Sequence, residues 1–325
     1  MQIHDFSSID FMDAREDSTT NSVLRHFVEM KDRKTGRQKT FHVLKSIGEG
    51  GSCKVFQVMD DRKDFYALKR VARDDHSESV YAREIGILQR PSLRDHSLII
   101  NLKGVGLSEK YIYLLLELGS ADFKHVLERT KRELVSRLQI ATCDHVSEVR
   151  DYLFQVRVFW QQILKAVQAA HEAGVIHCDL KPANFLNVGG VLKLIDFGIS
   201  RELVNEHTHI FCDARKIQGS LSYIPPENFY VTEGAVTLRT SADVWSLGCM
   251  LYQMVYGTTP FHGANMNEVT LKLKRRVPID YPRQHCQIPA MAIPGTVITV
   301  LKRCLNYNAS ERPTIQDLIR ASFEL

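Results

Sequence analysis

Three polar residues in one short stretch have the types and the spacing that phosphoryl-transfer chemistry requires. Asp179 could orient and deprotonate a hydroxyl group, and Lys181, two positions later, could neutralise charge on a transferring phosphoryl group. Asn184 could offer an oxygen ligand to Mg²⁺. Asp196, which follows a predicted strand, is a second oxygen ligand of the kind that Mg²⁺ combines with phosphate oxygens and water.

Two features upstream could hold the phosphates of a nucleotide. Gly48, Gly50 and Gly51 lie between two predicted strands, where backbone without side chains can approach phosphate oxygens. A purely structural hairpin would show the same glycines, but their position in front of a strand argues against a dinucleotide-binding turn and a P-loop. Lys69 lies in an apolar strand, and Glu84, on the next predicted helix, is an available partner. The alternative for Lys69 is an edge-strand lysine that points to water.

The elements that must position these residues begin after a polar leader. Residues 1–40 are polar and charged and predict a mobile, partly disordered segment with one added strand near residues 26–30. Runs rich in Val, Ile, Phe and Tyr then predict five strands, and a helix that Ser77 or Ser79 could cap follows the third. The strands are expected at residues 41–48, 54–59, 65–71, 102–107 and 111–117, and the helix at residues 77–89.

The pattern becomes mainly helical beyond a hinge at residues 118–120. Apolar residues recur there at helical spacing, and Ser241 could cap the second of the long helices. Residues 128–150 are interpreted as an insertion or an extended helical connection. Helices are expected at residues 151–172, 241–255, 296–305 and 314–321. The predicted organisation is a leader at residues 1–40, a first lobe at 41–118 and a second lobe at 119–325.

Composition and charge restrict the class of protein. Hydrophobic residues at 44% and charged residues at 25% are typical of a soluble globular chain. The net charge of +4 is too small and too dispersed for a nucleic-acid binder, and the basic runs at residues 31–39 and 272–276 are interpreted as solvated loops or helix faces. Seven cysteines without a Cys-x-x-Cys pair predict reduced thiols and a cytoplasmic or nuclear location. No stretch has the pattern of a secretory signal or a membrane span.

In combination these residues resemble the motif set of protein kinases, from the glycine-rich loop and strand lysine to the catalytic loop and Asp-Phe-Gly. Further matches are Pro-Pro-Glu at residues 225–227, the helix start at residues 243–248, and Arg312. In kinases, an arginine at the position of Arg312 pairs with the glutamate of the motif that Pro-Pro-Glu resembles. The resemblance covers residues 41–324. It implies an α+β bilobal fold, with a five-stranded antiparallel sheet and one helix in the N-terminal lobe, a mainly helical C-terminal lobe, and ATP in the cleft.

The resemblance also implies a role for each site residue, with ATP and Mg²⁺ as the cofactors. Leu116 would be the gatekeeper, the backbone of residues 117–119 would bind adenine, and Val55 and Ala67 would sandwich the base. The implied catalytic residues are Asp179, Lys181, Lys69 and Glu84, and the implied metal ligands are Asn184 and Asp196. The implied nucleotide-binding residues are Gly48, Gly50, Gly51, Val55, Ala67, Lys69, Leu116, Glu117, Gly119 and Leu186.

Finer details are similar to the monopolar spindle (TTK-type) dual-specificity kinases, above all residues 47–58, 179–186, 192–199 and 243–249. The catalytic-loop sequence Asp-Leu-Lys-Pro-Ala-Asn implies serine/threonine specificity, and some members of that family also phosphorylate tyrosine. The family implies spindle-checkpoint and chromosome-segregation signalling, with protein substrates and kinetochore proteins as partners. Those kinases carry a long N-terminal region, so the chain is expected to be a fragment or a divergent short form. The oligomeric state is left open by the sequence.

Departures from the general kinase pattern raise expectations of their own. Cys53 replaces the third glycine of the glycine-rich loop. It is expected either to act only as a small side chain in the loop or to present a thiol that ligands in the ATP site could reach. Cys178 replaces the arginine that grips an activation-loop phosphate in many kinases, so such a phosphate would need other basic groups. The candidates are Arg201, Arg215 and Lys216. Pro225 replaces an alanine, as it does in the monopolar spindle family. Thr208 and Ser220 are the predicted autophosphorylation sites.

Two other functions remain open at this stage. A kinase-fold scaffold would bind partners without catalysis, and loss of Lys69, Asp179, Asn184 or Asp196 would favour it, but all four are present. A small-molecule kinase would lack the features of a protein-substrate lobe, which residues 225–227 and Arg312 supply.

Overall fold

The computed structural model describes residues 4–12, 27–32, 37–50, 53–140, 144–203, 209–213, 219–230, 235–263, 265–285 and 288–321. The chain divides into two compact units, residues 1–120 and residues 121–325. Among the described residues, no helix has the length and apolar character needed to cross a bilayer.

The first unit is a curled sheet with one helix. Its strands follow one another in the order β1-β2-β3-β4-β5-β7-β6, and a parallel pairing of β1 with β6 closes the sheet. The elements are β1 (His4–Met12), β2 (Phe27–Asp32), β3 (Gln38–Gly50), β4 (Cys53–Asp60), β5 (Phe65–Ala72), α1 (Asp75–Leu88), β6 (Leu102–Leu107) and β7 (Tyr111–Glu117). The α+β class and the five predicted strands are confirmed as β3 to β7.

Two strands precede the predicted five: β2 confirms the added strand expected near residues 26–30, whereas β1 was not predicted. Val28 and Met30, two positions apart on β2, are fully buried. They pack in one cluster with Phe41, Leu68 and Tyr113. All five side chains lie on the same face of the sheet, as expected because successive side chains along a strand alternate between its two faces. The sequence shows only a short alternation there, and its apolar partners lie far along the chain. A distant partner strand, β6, likewise decides the position of β1.

Helix α1 begins two residues earlier than predicted, because Asp74 caps it. The Asp74 carboxylate accepts a hydrogen bond from the backbone N–H of Ser77 at 2.7 Å. The Ser77 hydroxyl in turn accepts one from the backbone N–H of Asp74 at 2.9 Å, which completes a capping box. Ser77 is thus the third helical residue and not the cap, and Ser79 lies inside the helix.

The second unit is mainly helical, with several short strand pairs. Its elements are β8 (Ala121–Asp122), α2 (Phe123–Leu138), α3 (His145–Glu172), β9 (Val175–Ile176), β10 (Phe185–Val188), β11 (Val191–Leu194), β12 (Arg201–Glu202), β13 (Ile210–Asp213), β14 (Ala235–Leu238), α4 (Thr240–Tyr256), α5 (Met266–Lys274), β15 (Gln284–His285), β16 (Ile288–Ala292), α6 (Gly295–Cys304) and α7 (Ile315–Arg320). Single turns of 3₁₀ helix occur at residues 182–184, 221–223, 226–229 and 309–311.

All four helices predicted in this unit are present, with two differences at their starts. Helix α3 begins at His145, with Asp144 as its cap, so it takes in the end of the stretch that we interpreted as a connection, and α2 takes in its beginning. Helix α4 follows Arg239, which makes no side-chain cap, so the expectation that Ser241 caps this helix is wrong. Trp160 on α3 and Trp245 on α4 are almost completely buried, so these two helices form the core on which the site rests.

Candidate active site

Lys69 and Glu84 form a buried ion pair in the first unit. The Lys69 ammonium lies 3.0 Å and 3.1 Å from the two oxygens of the Glu84 carboxylate, and only 13% of the lysine side chain is exposed. The same ammonium lies 4.7 Å from the centroid of the Tyr81 ring. The lysine on β5 is therefore matched by a carboxylate on α1, and the alternative of an edge-strand lysine in water is wrong.

The strand register places the predicted nucleotide-binding side chains of this unit on one face of the sheet. Val55 lies opposite both Gly48 and Lys69, and Leu116 lies opposite Ala67. Because directly opposed residues and residues two apart share a face, these five positions all lie on the same side. The opposite face carries the buried cluster with β2. The face left for a ligand is thus the one that holds the lysine.

The glycine-rich turn and the end of β7 adjoin that face. Gly50 pairs with Cys53, while Gly51 lies outside the described residues. At the end of β7, the backbone N–H of Glu117 donates to the carbonyl of Asn101 at 3.1 Å, and the Glu117 carboxylate accepts from the backbone N–H of Asn101 at 2.7 Å. These two hydrogen bonds fix the backbone that leads to Gly119.

The Asp179 carboxylate of the second unit is held by three hydrogen-bond donors. Lys181 donates from its ammonium to Oδ2 at 2.6 Å, and the backbone N–H of Ser220 donates to Oδ1 at 2.9 Å. The Asn184 amide nitrogen adds hydrogen bonds to Oδ2 at 3.1 Å and to the Asp179 carbonyl at 2.8 Å. A carboxylate with this many donors has one orientation and keeps its acceptor character.

Ser220 joins the segment at residues 219–230 to the loop that carries Asp179 and Lys181. Besides its backbone contact with Asp179, its hydroxyl accepts a hydrogen bond from the Lys181 ammonium at 2.8 Å. Sequence reasoning singled out Ser220 only as a phosphorylation site and missed this contact, since 39 residues separate it from Lys181. Thr208, the other predicted phosphorylation site, lies outside the described residues.

Asp243, near the start of α4, holds the backbone of the catalytic loop in place. Its carboxylate accepts hydrogen bonds from the backbone N–H groups of His177 and Cys178, at 2.8 Å and 2.9 Å, and contacts Nε2 of His171 at 2.8 Å. Complete burial would raise the pKa of Asp243, but the hydrogen bond and charge of His171, with the His177 contact, hold that pKa below its usual value. The sequence motif contained Asp243 but suggested no role for it.

Asn184 and Asp196 offer the oxygen ligands that a metal ion would need. Both hydrogen bonds of the Asn184 side chain use its amide nitrogen, so its amide oxygen is left for a cation. Asp196 has a left-handed backbone, with φ at 65°, an uncommon conformation for a residue with a side chain. Strain of this kind is typical of functional positions. The chemistry of this donor pair fits Mg²⁺, which prefers hard oxygen ligands. No cluster of three or more His, Cys, Asp or Glu side chains converges among the described residues.

Cys178 fills the position of the missing arginine with apolar contacts. It packs against a buried cluster of Ile176, Val236 and Leu238, next to the paired strands β13 and β14. Arg201, one of the candidate replacements, donates hydrogen bonds from its guanidinium to the backbone carbonyls of Ile199 and Ser200. The other two candidates, Arg215 and Lys216, lie outside the described residues.

Glu227 and Arg312 form the ion pair that the motifs suggested. The guanidinium donates to both carboxylate oxygens, at 2.7 Å and 2.8 Å, and the arginine side chain is completely buried. A third hydrogen bond runs from the guanidinium to the carbonyl of Ser241 at 2.9 Å. This bidentate pair ties residues 226–229 to the start of α4 and the segment after α6.

Comparisons with known proteins agree with this geometry. The family model described as "Protein kinase domain" matches residues 41–323. The chain is 35% identical over 293 residues to "Dual specificity protein kinase Ttk" of Danio rerio, covering 88% of this chain and 27% of that protein. It is 36% identical over 292 residues to "Dual specificity protein kinase TTK" of Mus musculus, covering 86% and 31%. With "Serine/threonine-protein kinase MPS1" of Encephalitozoon cuniculi it shares 32% identity over 299 residues, covering 91% and 45%. The chain thus spans less than half the length of each of these relatives.

Proposed function

The chain belongs to the protein kinase family, and from this premise we propose that it transfers the γ-phosphate of ATP to serine and threonine hydroxyl groups of proteins. The observation that carries the proposal is the orientation of the Asp179 carboxylate by Lys181 and Ser220. A carboxylate held in this way can accept a hydrogen bond from a substrate hydroxyl group and receive its proton as the phosphoryl group is transferred.

Residues of the first unit would bind ATP. Lys69, kept in place by its ion pair with Glu84, would donate to phosphate oxygens. Val55, Ala67 and Leu116, on the face that carries Lys69, would contact the adenine. The carbonyl of Glu117 and the N–H of Gly119 would supply its polar contacts.

Residues of the second unit would carry the transfer itself. Asn184 and Asp196 would hold Mg²⁺, which when bound neutralises charge on the phosphate oxygens. Lys181, which contacts Asp179 and Ser220, would stabilise negative charge on the transferring group. The Ser220 hydroxyl would fix Lys181 in the position that both tasks need.

Serine/threonine specificity rests on the Lys181–Ser220 contact together with the names of the relatives. Two of these relatives are named as dual-specificity kinases, and we extend the proposal to tyrosine on that ground. A scaffold function without catalysis is the second candidate. Its support is the replacement of the usual arginine by Cys178, which removes one route of phosphate-dependent activation but none of the groups that act on the substrate.

The test is transfer of radiolabelled phosphate from Mg²⁺-ATP to a generic protein substrate, with phosphoamino-acid analysis of the product. We expect phosphoserine and phosphothreonine, and no transfer by Asp179→Ala. Phosphotyrosine in the same product would support dual specificity. ATP binding by the wild-type chain without any transfer would contradict the proposal and favour the scaffold.

We also propose a cellular role in spindle-checkpoint and chromosome-segregation signalling, with kinetochore proteins among the partners and a cytoplasmic or nuclear location. The support is the similarity to the TTK and MPS1 kinases. Dividing cells that carry only the Asp179→Ala chain should fail to arrest when microtubules are depolymerised. Normal arrest in those cells would contradict this role.

A further inference from the structure

A groove in the second unit includes part of a basic run that the proposed function leaves unused. Its volume is about 580 Å³, and it is lined by the segment after α5 and by residues at the end of α6 and beyond. Two exposed cationic side chains, Arg276 and Lys302, share this lining with two partly exposed residues, Ile279 and Tyr281, above the buried side chain of Leu305. The groove therefore offers charge and apolar surface together.

The wall of this groove is built rigidly although it has no helix or strand. Residues 278–281 line the groove, and three tyrosine hydroxyl groups from α4 and from the segment after α6 donate to backbone carbonyls of these residues and of their two neighbours, residues 277 and 282. The pairs are Tyr307 with Val277 at 2.7 Å, Tyr252 with Asp280 at 3.1 Å and Tyr256 with Pro282 at 2.9 Å. A wall that is ordered before a ligand arrives costs little conformational entropy on binding.

Arg276 occupies a backbone position that normally favours glycine. Helix α5 ends with hydrogen bonds from the N–H of Arg276 to the carbonyl of Leu273 and from the N–H of Val277 to the carbonyl of Lys272, at 3.1 Å and 3.0 Å. These two bonds define a Schellman motif, in which Arg276 has a left-handed φ of 52°. A side chain at this position strains the backbone, which would favour glycine here, and the chain nevertheless has an arginine.

The two cations of the groove form no ion pair within the part of the chain that the structure describes. No carboxylate of those residues lies within ion-pair distance of Arg276 or Lys302, and the Lys302 ammonium lies 5.8 Å from the centroid of the Tyr281 ring. Asp280 is the carboxylate in the lining, so the two cations leave the groove with a net positive charge. Three further basic residues of the same run, Lys272, Lys274 and Arg275, precede Arg276.

From these observations we propose that the groove binds an acidic segment of a protein substrate, with carboxylates on Arg276 and Lys302 and an apolar side chain against Ile279 and the ring of Tyr281. The charge and the apolar lining are complementary to aspartate or glutamate residues that flank an aliphatic or aromatic one. The proposal rests on the proposed kinase function only in assigning the segment to a substrate. It gives the enzyme a second contact with a protein, away from the residue to be phosphorylated, which raises the effective concentration of that residue.

The test measures binding of fluorescent peptide pools to the full chain, without ATP. One pool has Asp or Glu flanking an apolar residue, and a matched pool has Asn and Gln instead. We expect Arg276→Gly and Lys302→Gln each to weaken binding of the acidic pool about fivefold, the ratio expected when one exposed charge contact is lost. Arg276→Gly also relieves the backbone strain, so its Tm should be unchanged or higher. Arg275→Gly removes the same charge from a position outside the groove and should leave binding within about twofold of the wild type.

The outcomes distinguish docking in the groove from a general attraction between the peptides and the basic run. Equal loss in the Arg275→Gly control, or equal binding of the acidic and neutral pools, would overturn the proposal, as would tighter binding of phosphopeptides, single-stranded DNA or anionic vesicles. Fusing an acidic peptide to a phosphorylatable one should raise transfer in the wild type but not in Arg276→Gly. Failure of this enhancement with transfer to the unfused peptide intact overturns the docking site alone. Binding without transfer to any peptide overturns the proposed function alone.

Discussion

The candidate site residues of the first unit and those of the second unit are held in place in different ways. In the first unit, one ion pair joins β5 to α1, and its members, Lys69 and Glu84, are 15 residues apart in the chain. In the second unit, Asp179 and the loop around it are fixed by Ser220 and Asp243, over separations of 41 and up to 66 residues. The ion pair of the first unit is a local contact between two elements close in the chain, whereas the loop around Asp179 depends on a network with a common anchor, Asp243. A single substitution should therefore mainly reduce activity in the first unit and also reduce stability in the second.

Asp243→Ala should have the largest effect. It leaves His171 and the backbone N–H groups of His177 and Cys178 buried without their shared acceptor, so the free energy of unfolding should fall by about 3–5 kcal/mol. Phosphate transfer should become undetectable, because the catalytic loop loses its anchor. Chemical denaturation and a transfer assay measure the two effects. Asp151→Ala, on an exposed position of α3, is the control, and equal losses in both variants would refute a special role for Asp243.

Glu84→Gln should sharpen the contrast by affecting activity far more than stability. The amide retains a hydrogen bond to Lys69 but loses the charge, so the free energy of unfolding should fall by only ~1–2 kcal/mol. Because Lys69 is then less well positioned, kcat/KM for ATP should fall about a hundredfold. Steady-state kinetics and thermal unfolding test this pair of expectations. A stability loss as large as that of Asp243→Ala would show that the site residues of both units depend on anchors of the same kind.

Ser220→Ala tests one contact within the network of the second unit. The substitution removes the hydroxyl that contacts Lys181 but keeps the backbone N–H that donates to Asp179. We expect kcat to fall about tenfold, which corresponds to a lost hydrogen bond to a charged group, with little change in Tm. Ser220→Thr should restore most of the activity. The prediction that Ser220 is phosphorylated competes with this role: a phosphate found on Ser220 in the fully active protein would contradict it, because the free hydroxyl group that contacts Lys181 would be absent.

The pH dependence of stability should separate Asp243 from another buried titratable group of the same unit. Burial and the nearby Lys131 charge lower the pKa of His285 below 6.5, and its Nδ1 accepts the backbone N–H of Ile288 at 3.0 Å. The unfolded chain therefore binds the proton more readily, and stability should decline as the pH falls below about 6.5. Asp243, whose pKa is lowered from 3.8, contributes stability that is lost only in stronger acid.

The expected size of this last effect is the smallest of the four. Thermal unfolding at neutral and mildly acidic pH measures it, with His285→Gln as the matched variant. The variant should lose the decline below pH 6.5 but keep the loss in stronger acid, below pH 3.8, that the lowered pKa of Asp243 causes. An unchanged decline in His285→Gln would assign it to another group.

Short-range patterns in the sequence were sufficient for most of the fold and for the candidate catalytic residues. Strands β3 to β7 and the long helices α3 and α4 were predicted because periodic apolar residues report burial directly. Lys69, Asp179, Asn184 and Asp196 were identified because their spacing along the chain is itself characteristic of a chemistry. The capping of α1 by Asp74 was missed because several polar residues near a helix start compete, and only the backbone geometry selects one.

The tertiary structure alone decided the contacts that join distant segments. The roles of Ser220 and Asp243, the unpredicted strand β1, and the apolar surroundings of Cys178 depend on partners far apart in the chain. The same holds for the groove, which brings together two cations that are distant in the chain, Arg276 just after α5 and Lys302 on α6. A local pattern records which face of an element is apolar, but it does not record which other element will cover that face. That choice depends on the packing of the whole chain, and it determines which polar groups meet.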